Sequence, residues 1–532
     1  MHRNLLKLIV VLSGITFVVS CSGGADKYSI AVPKDAAFVL HINGPALSQK
    51  ISWEDIKNSS WFKEIYAESQ DDSLAKRLLD DPENTGVNLQ EHLVTFMKRS
   101  GRNGYMAFEG SVKDVNAFEN FLKKVEKNAT VSKDGDINIL AKEGSVITWN
   151  SERFIAISGI SSASFSSYRS SGALTTDSLV KYAKELYALK GDQNLFSDKR
   201  FASLMNETGD MHFWVSPEHA YGEEMAGALN MFRFGDIMQG NATAMSVNFE
   251  NGKITAKSKT YYNKDLAKLL EKYKSKKIDA SLLTRIHSQD IVGVLAFNYP
   301  PEGIKELLKL FGLDGIANEG LSRLNYSLDE FVKAYKGDVV LAFTDFQLKK
   351  ADFPELKGSN GEPIELPETR DFKVLFAASV RDKASFEKLV SNLRSTFEEE
   401  GGSRMGMPPV SFSTNEEWFA AGNSVDQVNQ FLAGGDNKWS MAGRLSGHTT
   451  LFYLDLQKVM KLFASDPATK TGATVNESMK VWENIIATTG DVTDNTVTGE
   501  FEVNLVDKNT NALKQISQWA DRVAMLNKNT AF

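Results

Sequence analysis

The sequence contains a single cysteine, Cys21, in 532 residues. One cysteine excludes an intramolecular disulfide, and it excludes zinc or iron–sulfur sites built from several thiolates. Positive charge is also in short supply, because 61 Lys and Arg residues face 68 Asp and Glu residues and the net charge is −7. A mildly acidic chain lacks the positive field that nucleic acid requires, so we expect no nucleic-acid partner.

Motifs that would identify a catalytic or cofactor site are missing from the sequence. It lacks the G-x-S-x-G elbow, the dinucleotide fingerprint, the phosphate-binding P-loop, the H-E-x-x-H helix and the EF-hand loop. We therefore expect no cofactor and no metal centre. The missing motifs favour a non-enzymatic role. Enzymatic activity stays open, because catalytic residues that are distant in sequence can still converge in three dimensions.

Two short patterns resemble elements of penicillin-recognising enzymes. Ser60 to Lys63 reads S-x-x-K, and Lys470 to Gly472 reads K-T-G. The S-x-x-K string occurs again at Ser385 to Lys388, inside a predicted helix, and no S-x-N element lies between the two patterns in a convincing context. We interpret both as chance matches because their structural context is missing.

The seven histidines are scattered along the chain, and His212 and His219 are the closest pair. With Glu218 between them they could approach a metal ion from a strand and a turn. The alternative is that they are ordinary core and surface histidines, which is favoured because no histidine pair has i, i+2 or i, i+4 spacing.

The N-terminus has the organisation of an export signal. A short basic start is followed by the apolar run Leu8 to Val19, which is too short for the roughly 20 residues that span a bilayer. The stretch Val18-Val19-Ser20-Cys21 resembles a bacterial lipobox, which implies that Cys21 is acylated after cleavage. The alternatives are an ordinary signal peptide with an incidental cysteine and an uncleaved anchor.

We therefore predict a signal peptide at 1–20 and a lipidated cysteine with a flexible tether at 21–30. The membrane, reached through the N-terminal lipid, is the first expected partner. Ser22 after the cysteine is typical of outer-membrane lipoproteins, and Asp26 stands alone where a surface-export signal would be an acidic run. These residues favour the periplasmic face of the outer membrane over the cell surface.

The body contains a long-period repeat. Tyr105 to Val125 and Lys373 to Leu393 share a strand, an Asp cap and an apolar helical face, at an offset of 268 residues. A hairpin turn and a helix recur later in each half, around Asn251-Gly252 and around Asp494-Asn495. Because strands come in hairpin-like runs, we predict an α+β fold of two homologous halves, each a mostly antiparallel sheet packed with helices.

The predicted repeats cover 31–275 and 280–524, and a C-terminal tail covers 525–532. The second half carries a polar insert from Lys349 to Arg370 between strands near 339–345 and 372–380. Residues 401–409 form a second irregular loop, and Ser158 to Gly172 is serine-rich. We interpret all three as connections, whose role the sequence leaves open.

The start of the body contains the strand entry I-x-x-P-x-D-A, in Ile30 to Val39. Following the lipobox that ends at Cys21, this strand entry resembles that of the Bacteroidetes lipoproteins that are grouped as the domain of unknown function 4836 family. The tract Thr85 to Leu89 and the strand–F-x-x-F arrangement at 105–125 also fit. The resemblance implies an exported lipoprotein, and it supplies no catalytic residues to transfer.

Together these features predict a membrane-anchored lipoprotein of the cell envelope that acts as a non-enzymatic binding or scaffold protein. An envelope protein or a glycan is the expected partner. The chain is rich in aromatic residues, whose faces can stack on sugars, although most of those that can be assigned to a helix or strand fall on core faces. The alternatives are an envelope hydrolase whose site forms only in three dimensions and a glycan-binding protein. A carboxylate pair or a Ser–Lys contact in a pocket would favour the hydrolase.

Overall fold

The computed structural model describes most of the body of the protein. The described residues are 30–63, 85–88, 90–100, 103–125, 130–142, 144–161, 174–220, 233–349, 369–399, 410–435, 437–463 and 470–529. Cys21, the predicted signal and tether, and the loop at 401–409 lie outside them. Of the polar insert, the structure describes only Lys349, Thr369 and Arg370.

The chain divides into two compact units. The first unit contains the residues up to Asn263 and those from Asp507 onward, and the second unit is Lys264–Val506. The boundaries of these units differ from the predicted repeats at 31–275 and 280–524 in the placement of two helices. The helix Lys264–Lys272 lies in the second unit, and the helix Ala512–Asn529 lies in the first.

The first unit is built on one antiparallel sheet. Its described strands are β1 Ala36–Asn43, β2 His92–Ser100, β3 Asn103–Ser111, β4 Val131–Asp134, β5 Ile137–Lys142, β6 Ser145–Trp149, β7 Arg153–Ser161, β8 Met211–Val215, β9 Ala242–Glu250 and β10 Lys253–Tyr261. The hydrogen-bonded order is β4-β5-β6-β7-β3-β2-β1-β8-β9-β10. The helices are α1 Gly44–Ser48, α2 Trp53–Asn58, α3 Val115–Val125, α4 Thr176–Ala188, α5 Lys199–Asn206, α6 Pro217–Ala220, α7 Phe234–Met238 and α18 Ala512–Asn529.

Both faces of this sheet are covered. One core contains Phe108, Phe118 and Trp149, together with Leu513 of α18. The other contains Val94, Ala107 and Trp214 with residues of α4 and α5. A sheet that is buried on both faces has no solvent side, so a polar residue on either face needs a partner inside the protein.

The second unit is also built on an antiparallel sheet. Its described strands are β11 Ile291–Asn298, β12 Tyr335–Lys349, β13 Thr369–Val380, β14 Ser411–Thr414, β15 Trp418–Gly422, β16 Thr450–Asp455, β17 Trp482–Thr493 and β18 Thr496–Leu505, in the order β14-β15-β13-β12-β11-β16-β17-β18. The helices are α8 Lys264–Lys272, α9 Ala280–Thr284, α10 Pro301–Phe311, α11 Asp314–Ser322, α12 Leu328–Ala334, α13 Lys383–Glu399, α14 Val425–Ala433, α15 Ala442–Leu445, α16 Leu456–Phe463 and α17 Lys470–Met479. Helices packed with antiparallel sheets confirm the predicted α+β class.

The predicted strand–cap–helix units are present in both places. The Asp114 carboxylate accepts a hydrogen bond from the Ala117 amide at 2.9 Å, and the Asp382 carboxylate accepts one from the Ser385 amide at 2.9 Å. Phe118 and Phe386 are buried on the helices that follow. The cap satisfies free amide groups of the first turn, which is why the helix begins at the same point in each unit.

Strand lengths differ from the sequence prediction at two connections. β12 extends to Lys349 and β13 begins at Thr369, because Lys349 and Thr369 pair across the ladder. Ser158 to Ser161 belong to β7 and not to a loop, since they pair with β3. Backbone hydrogen bonding extends a strand through residues that carry no regular hydrophobic pattern.

Candidate functional site

Three histidines from separate strands of the first unit come together on one face of its sheet. His41 on β1 lies directly opposite His212 on β8, and His92 begins β2 opposite Asn43. His41 Nδ1 is 2.9 Å from His212 Nδ1, and His41 Nε2 is 2.9 Å from His92 Nδ1. We call His92, His41 and His212 the histidine chain.

The histidine chain ends at a backbone carbonyl and borders a small pocket. His212 Nε2 is 3.1 Å from the Glu207 carbonyl oxygen. The pocket has a volume of about 40 Å³ and is lined by Ile30, His41, Asn43, His92, Met205, Glu207 and His212. This space suits a few water-sized molecules. Asn43 is fixed in its wall because its amide donates to the Gly209 carbonyl at 2.9 Å.

Two acidic residues near the pocket are held in ion pairs. The Glu207 carboxylate contacts Lys259 Nζ at 2.5 Å and accepts from the Ser246 hydroxyl at 3.2 Å. Asp210 is almost fully buried; it pairs with Lys50 and accepts from the Phe249 amide at 2.6 Å. Both carboxylates are therefore engaged in ion pairs with lysines.

A buried glutamate lies in the same register row as the histidine chain. Glu109 on β3 faces Val94 on β2, which faces His41 on β1. Adjacent strands are about 4.8 Å apart, so Glu109 lies roughly 10 Å from His41. Its Oε1 accepts from the Ala31 amide at 2.8 Å, while its buried Oε2 has no hydrogen-bond partner.

Burial dominates the electrostatics of Glu109. It raises the pKa of this carboxyl to about 7, although the Arg153 guanidinium and the Ala31 amide act in the opposite direction. Desolvation disfavours the carboxylate more than these two groups stabilise it. Glu109 therefore changes its charge near neutral pH and holds the segment that enters the body from the predicted tether.

The patterns singled out in the sequence do not meet at this pocket. Lys63 Nζ donates to the Asn58 carbonyl at 2.7 Å, and the Ser60 amide donates to Asp521. Lys388 pairs with Glu330 at 2.5 Å, so the second S-x-x-K string is also engaged elsewhere.

His212 and His219, with Glu218 between them, were the candidate metal ligands in the sequence. In the structure, His212 and Glu218 have different contacts. His212 points to His41, whereas Glu218 accepts from the Gly240 amide at 2.9 Å. Within the described ranges, no group of three His, Cys, Asp or Glu residues has the geometry to hold a metal ion. The sequence missed the histidine chain because its members lie 51 and 171 residues apart, beyond the reach of any local spacing rule.

The second unit has a different feature, an apolar row across all eight of its described strands. The row members lie directly opposite one another from β14 to β18: Phe412, Ala421, Phe376, Leu341, Leu295, Phe452, Ala487 and Phe501. An adjacent row on the same face includes Phe343 and Val374. We call these ten residues the apolar band.

The two faces of this second sheet differ in burial. On the core face Ala296, Val340 and Leu375 are fully buried. In the apolar band Phe343 and Phe376 are each 38% exposed and Phe501 is 40% exposed. An antiparallel sheet normally places polar residues on a face that meets solvent, so these partly exposed phenylalanines depart from that pattern.

Comparison with known proteins gives a family and little more. Three solved structures, described as crystal forms I, III and IV of TP0453, are 12% identical to this chain in sequence, with TM-scores of 0.24 to 0.26. The matched region covers 45% of this chain and 81% to 86% of the TP0453 chains. Likeness this low supports no inference. A search of curated proteins found no significant match.

No described helix is both long and apolar enough to cross a bilayer. The model of a domain of unknown function, DUF4836, matches residues 28–360, which is more than half of the chain. The chain therefore belongs to the DUF4836 family.

Proposed function

We propose that this protein is a cell-envelope lipoprotein, anchored through Cys21, whose body acts as a binding or scaffold protein and not as an enzyme. The proposal includes a Bacteroidetes origin and a position on the periplasmic face of the outer membrane. The anchor rests on the lipobox pattern, and the binding role rests on one observation, the open apolar band of the second unit.

The anchor is tested by replacing its sulfur. Cys21→Ser removes the only thiol in the chain, so acyl chains can no longer be attached. Cells are grown with an alkyne-tagged fatty acid and then fractionated. We expect label and membrane association for the wild type and neither for Cys21→Ser, with Ser22→Ala as the matched control. Unlabelled wild-type protein that still pellets with membranes would contradict the proposal.

The binding role follows from the cost of leaving the apolar band in water. Each Å² of apolar surface removed from water contributes about 25 cal/mol, so covering several half-exposed phenylalanines favours association by a few kcal/mol. The central strands back the band with a packed core, since Ala296, Val340 and Leu375 on their opposite face are fully buried.

The test compares two surface substitutions. Phe343→Ser with Phe376→Ser makes the band polar, while Ile316→Ser changes a residue that is 55% exposed on α11. Full-length proteins are captured from cross-linked membranes, and binding of the apolar dye bis-ANS is titrated. We expect the double variant to lose envelope partners and dye, and Ile316→Ser to keep both. Equal behaviour of all three would remove the support for a binding surface.

The alternatives are less well supported by the described residues. A hydrolase calls for a carboxylate pair or a Ser–Lys contact, and the pocket beside the histidine chain is lined by one carboxylate and by neither serine nor lysine. A glycan platform calls for solvent-facing Trp or Tyr. Among described side chains, the exposed aromatic residues are phenylalanines.

We also propose that the two units arose by duplication. Each sheet has its first strand at the centre, between the second strand and a later strand that follows a helical segment. Phe108 and Phe376 hold matching places before the capped helices. A superposition of 36–261 on 291–505 that fails to bring these two residues together would contradict the duplication.

A further inference from the structure

The segment from Lys264 to Lys277 concentrates positive charge in an acidic protein. It contains six lysines, and its two acidic residues, Asp265 and Glu271, leave it a net charge of +4, whereas the whole chain carries −7. All six lysines are exposed. We call these six residues the lysine patch: Lys264, Lys268, Lys272, Lys274, Lys276 and Lys277.

The fold attaches the lysine patch to the core at both of its ends. The three lysines of α8 follow one another at intervals of four residues, which places them in line along one side of the helix. Leu266 is buried on the opposite side. Beyond the helix, the Lys276 amide donates to the Asn298 side chain at 2.7 Å, and Ile278 is buried. The backbone beneath the lysines is therefore fixed while their side chains extend into water.

The lysine patch differs from other lysines of the second unit in its electrostatic surroundings. On the helices nearby, Lys305 pairs with Asp329, and Lys309 pairs with Glu306 on α10, which packs against α8. Among the described residues, no carboxylate forms an ion pair with an ammonium group of the patch. Like charges four residues apart on a helix repel each other, so a surface that served only solubility would alternate the two signs.

We propose that the lysine patch docks onto the anionic headgroups of phospholipids and thereby orients the anchored body on its membrane. This inference rests on the proposed function, because it is the lipid on Cys21 that brings the body to a bilayer. The predicted tether at 21–30 spans at most about 35 Å when fully extended, so a weak attraction is enough to decide which side faces the headgroups.

Charge complementarity supports this partner. A body with an overall negative charge is repelled by an anionic surface, and a region of opposite sign is attracted to it. Each lysine near an anionic bilayer strengthens association about five-fold, so the three lysines of α8 together contribute roughly a hundred-fold.

The shape of the lysine patch favours a lipid surface over an anionic polymer. The side of a helix is convex, and headgroups meet such a surface without a pocket. Anionic glycans and single-stranded nucleic acids are held in grooves that add aromatic stacking to the charge. The only aromatic residue of the segment is Tyr273, which is half-buried.

The test is lysine footprinting of the full-length protein in vesicles. Lipidated protein is purified in neutral detergent and reconstituted into phosphatidylcholine vesicles with or without phosphatidylglycerol, and acetylation of each lysine is followed by mass spectrometry. With phosphatidylglycerol, we expect the patch to react several-fold more slowly, while Lys336, Lys438 and Lys461, which are exposed elsewhere in the second unit, keep their rates. High salt should remove this protection because it screens the attraction.

Matched variants separate a specific surface from general attraction. Combining Lys264→Gln, Lys268→Gln and Lys272→Gln should abolish the protection of the three patch lysines beyond α8. The control combines Lys336→Gln, Lys438→Gln and Lys461→Gln, which removes the same charge, and it should leave the protection unchanged. Equal protection of patch and control lysines would overturn the proposal, as would equal behaviour of the two variants.

Two further readouts identify the cause of a failure. Protection of the patch by heparin in detergent, without protection by the vesicles, would overturn the proposal in favour of an anionic glycan. The mass of the N-terminal peptide reports the anchor separately. An unacylated Cys21 would contradict the proposed function, whereas an acylated chain with an unprotected patch would contradict only the docking surface.

Discussion

Glu109→Gln is expected to stabilise the protein at alkaline pH and to have little effect in acid. The pKa of the Glu109 carboxyl rises from 4.5 to about 7 in the folded protein because the group is buried. Between these values the native state binds a proton that the unfolded state has released, so the free energy of unfolding falls as pH rises. Above pH 7 the folded protein carries the full cost of a buried carboxylate.

The size of the effect follows from the shift in pKa. Each pKa unit corresponds to about 1.4 kcal/mol, so a shift of this size costs about 3 kcal/mol at pH 8. Glutamine keeps the oxygen that accepts from the Ala31 amide and carries no charge. The amide nitrogen occupies the place of Oε2, which already has no hydrogen-bond partner, so the substitution adds no new unsatisfied atom.

The assay is urea unfolding of the full-length chain, followed by tryptophan fluorescence at fixed pH values from 4.5 to 8.5. The difference in unfolding free energy between Glu109→Gln and the wild type should grow from near zero at pH 4.5 to about 3 kcal/mol at pH 8. Glu152→Gln, on an exposed turn, is the control and should give no such growth. A difference that does not depend on pH would refute the reasoning.

Three further substitutions test the surroundings of the site and the composition of the first unit. Gly209→Ala places a Cβ 2.6 Å from His212 Nε2, so we expect a loss of about 2 kcal/mol in urea unfolding, while Gly443→Ala enters open space and should cost little. Asp210→Asn weakens the buried ion pair with Lys50, and we expect the free energy of unfolding to fall by about 2 kcal/mol. Adding Lys50→Met to this variant should cause no further fall. Leu513→Ala should destabilise the first unit by about 3 kcal/mol, measured by hydrogen exchange in β9, with exposed Lys514→Ala as control; unchanged exchange would show that α18 packs elsewhere.

The exchange of helices between the predicted repeats and the compact units has a simple physical cause. The Asn511 amide donates to the Phe249 carbonyl, and the Trp61 indole donates to the Ser517 hydroxyl. Leu513 lies in the first unit's core. A helix packs where its apolar face and its capping groups find partners, and the distance along the chain does not decide this.

Sequence alone predicted features that depend on local chemistry. Asp114 and Asp382 cap their helices because a short carboxylate reaches the amide three residues on. Asp494-Asn495 turns a hairpin because both residues adopt the positive φ angles that this turn requires. Alternation and helical periodicity were sufficient for the α+β class. The export signal ending at Cys21 stays a prediction from sequence, outside the described residues.

Only the tertiary structure decided what the polar residues do. His41, His92 and His212 meet because register places strands from distant parts of the chain side by side, and no spacing in the sequence encodes that register. Glu109 alternates with apolar residues as a solvent-facing residue would, yet Ala31 and Val32 cover its face of the sheet. Charge and burial of such groups depend on what packs over them, which is settled only when the whole chain has folded.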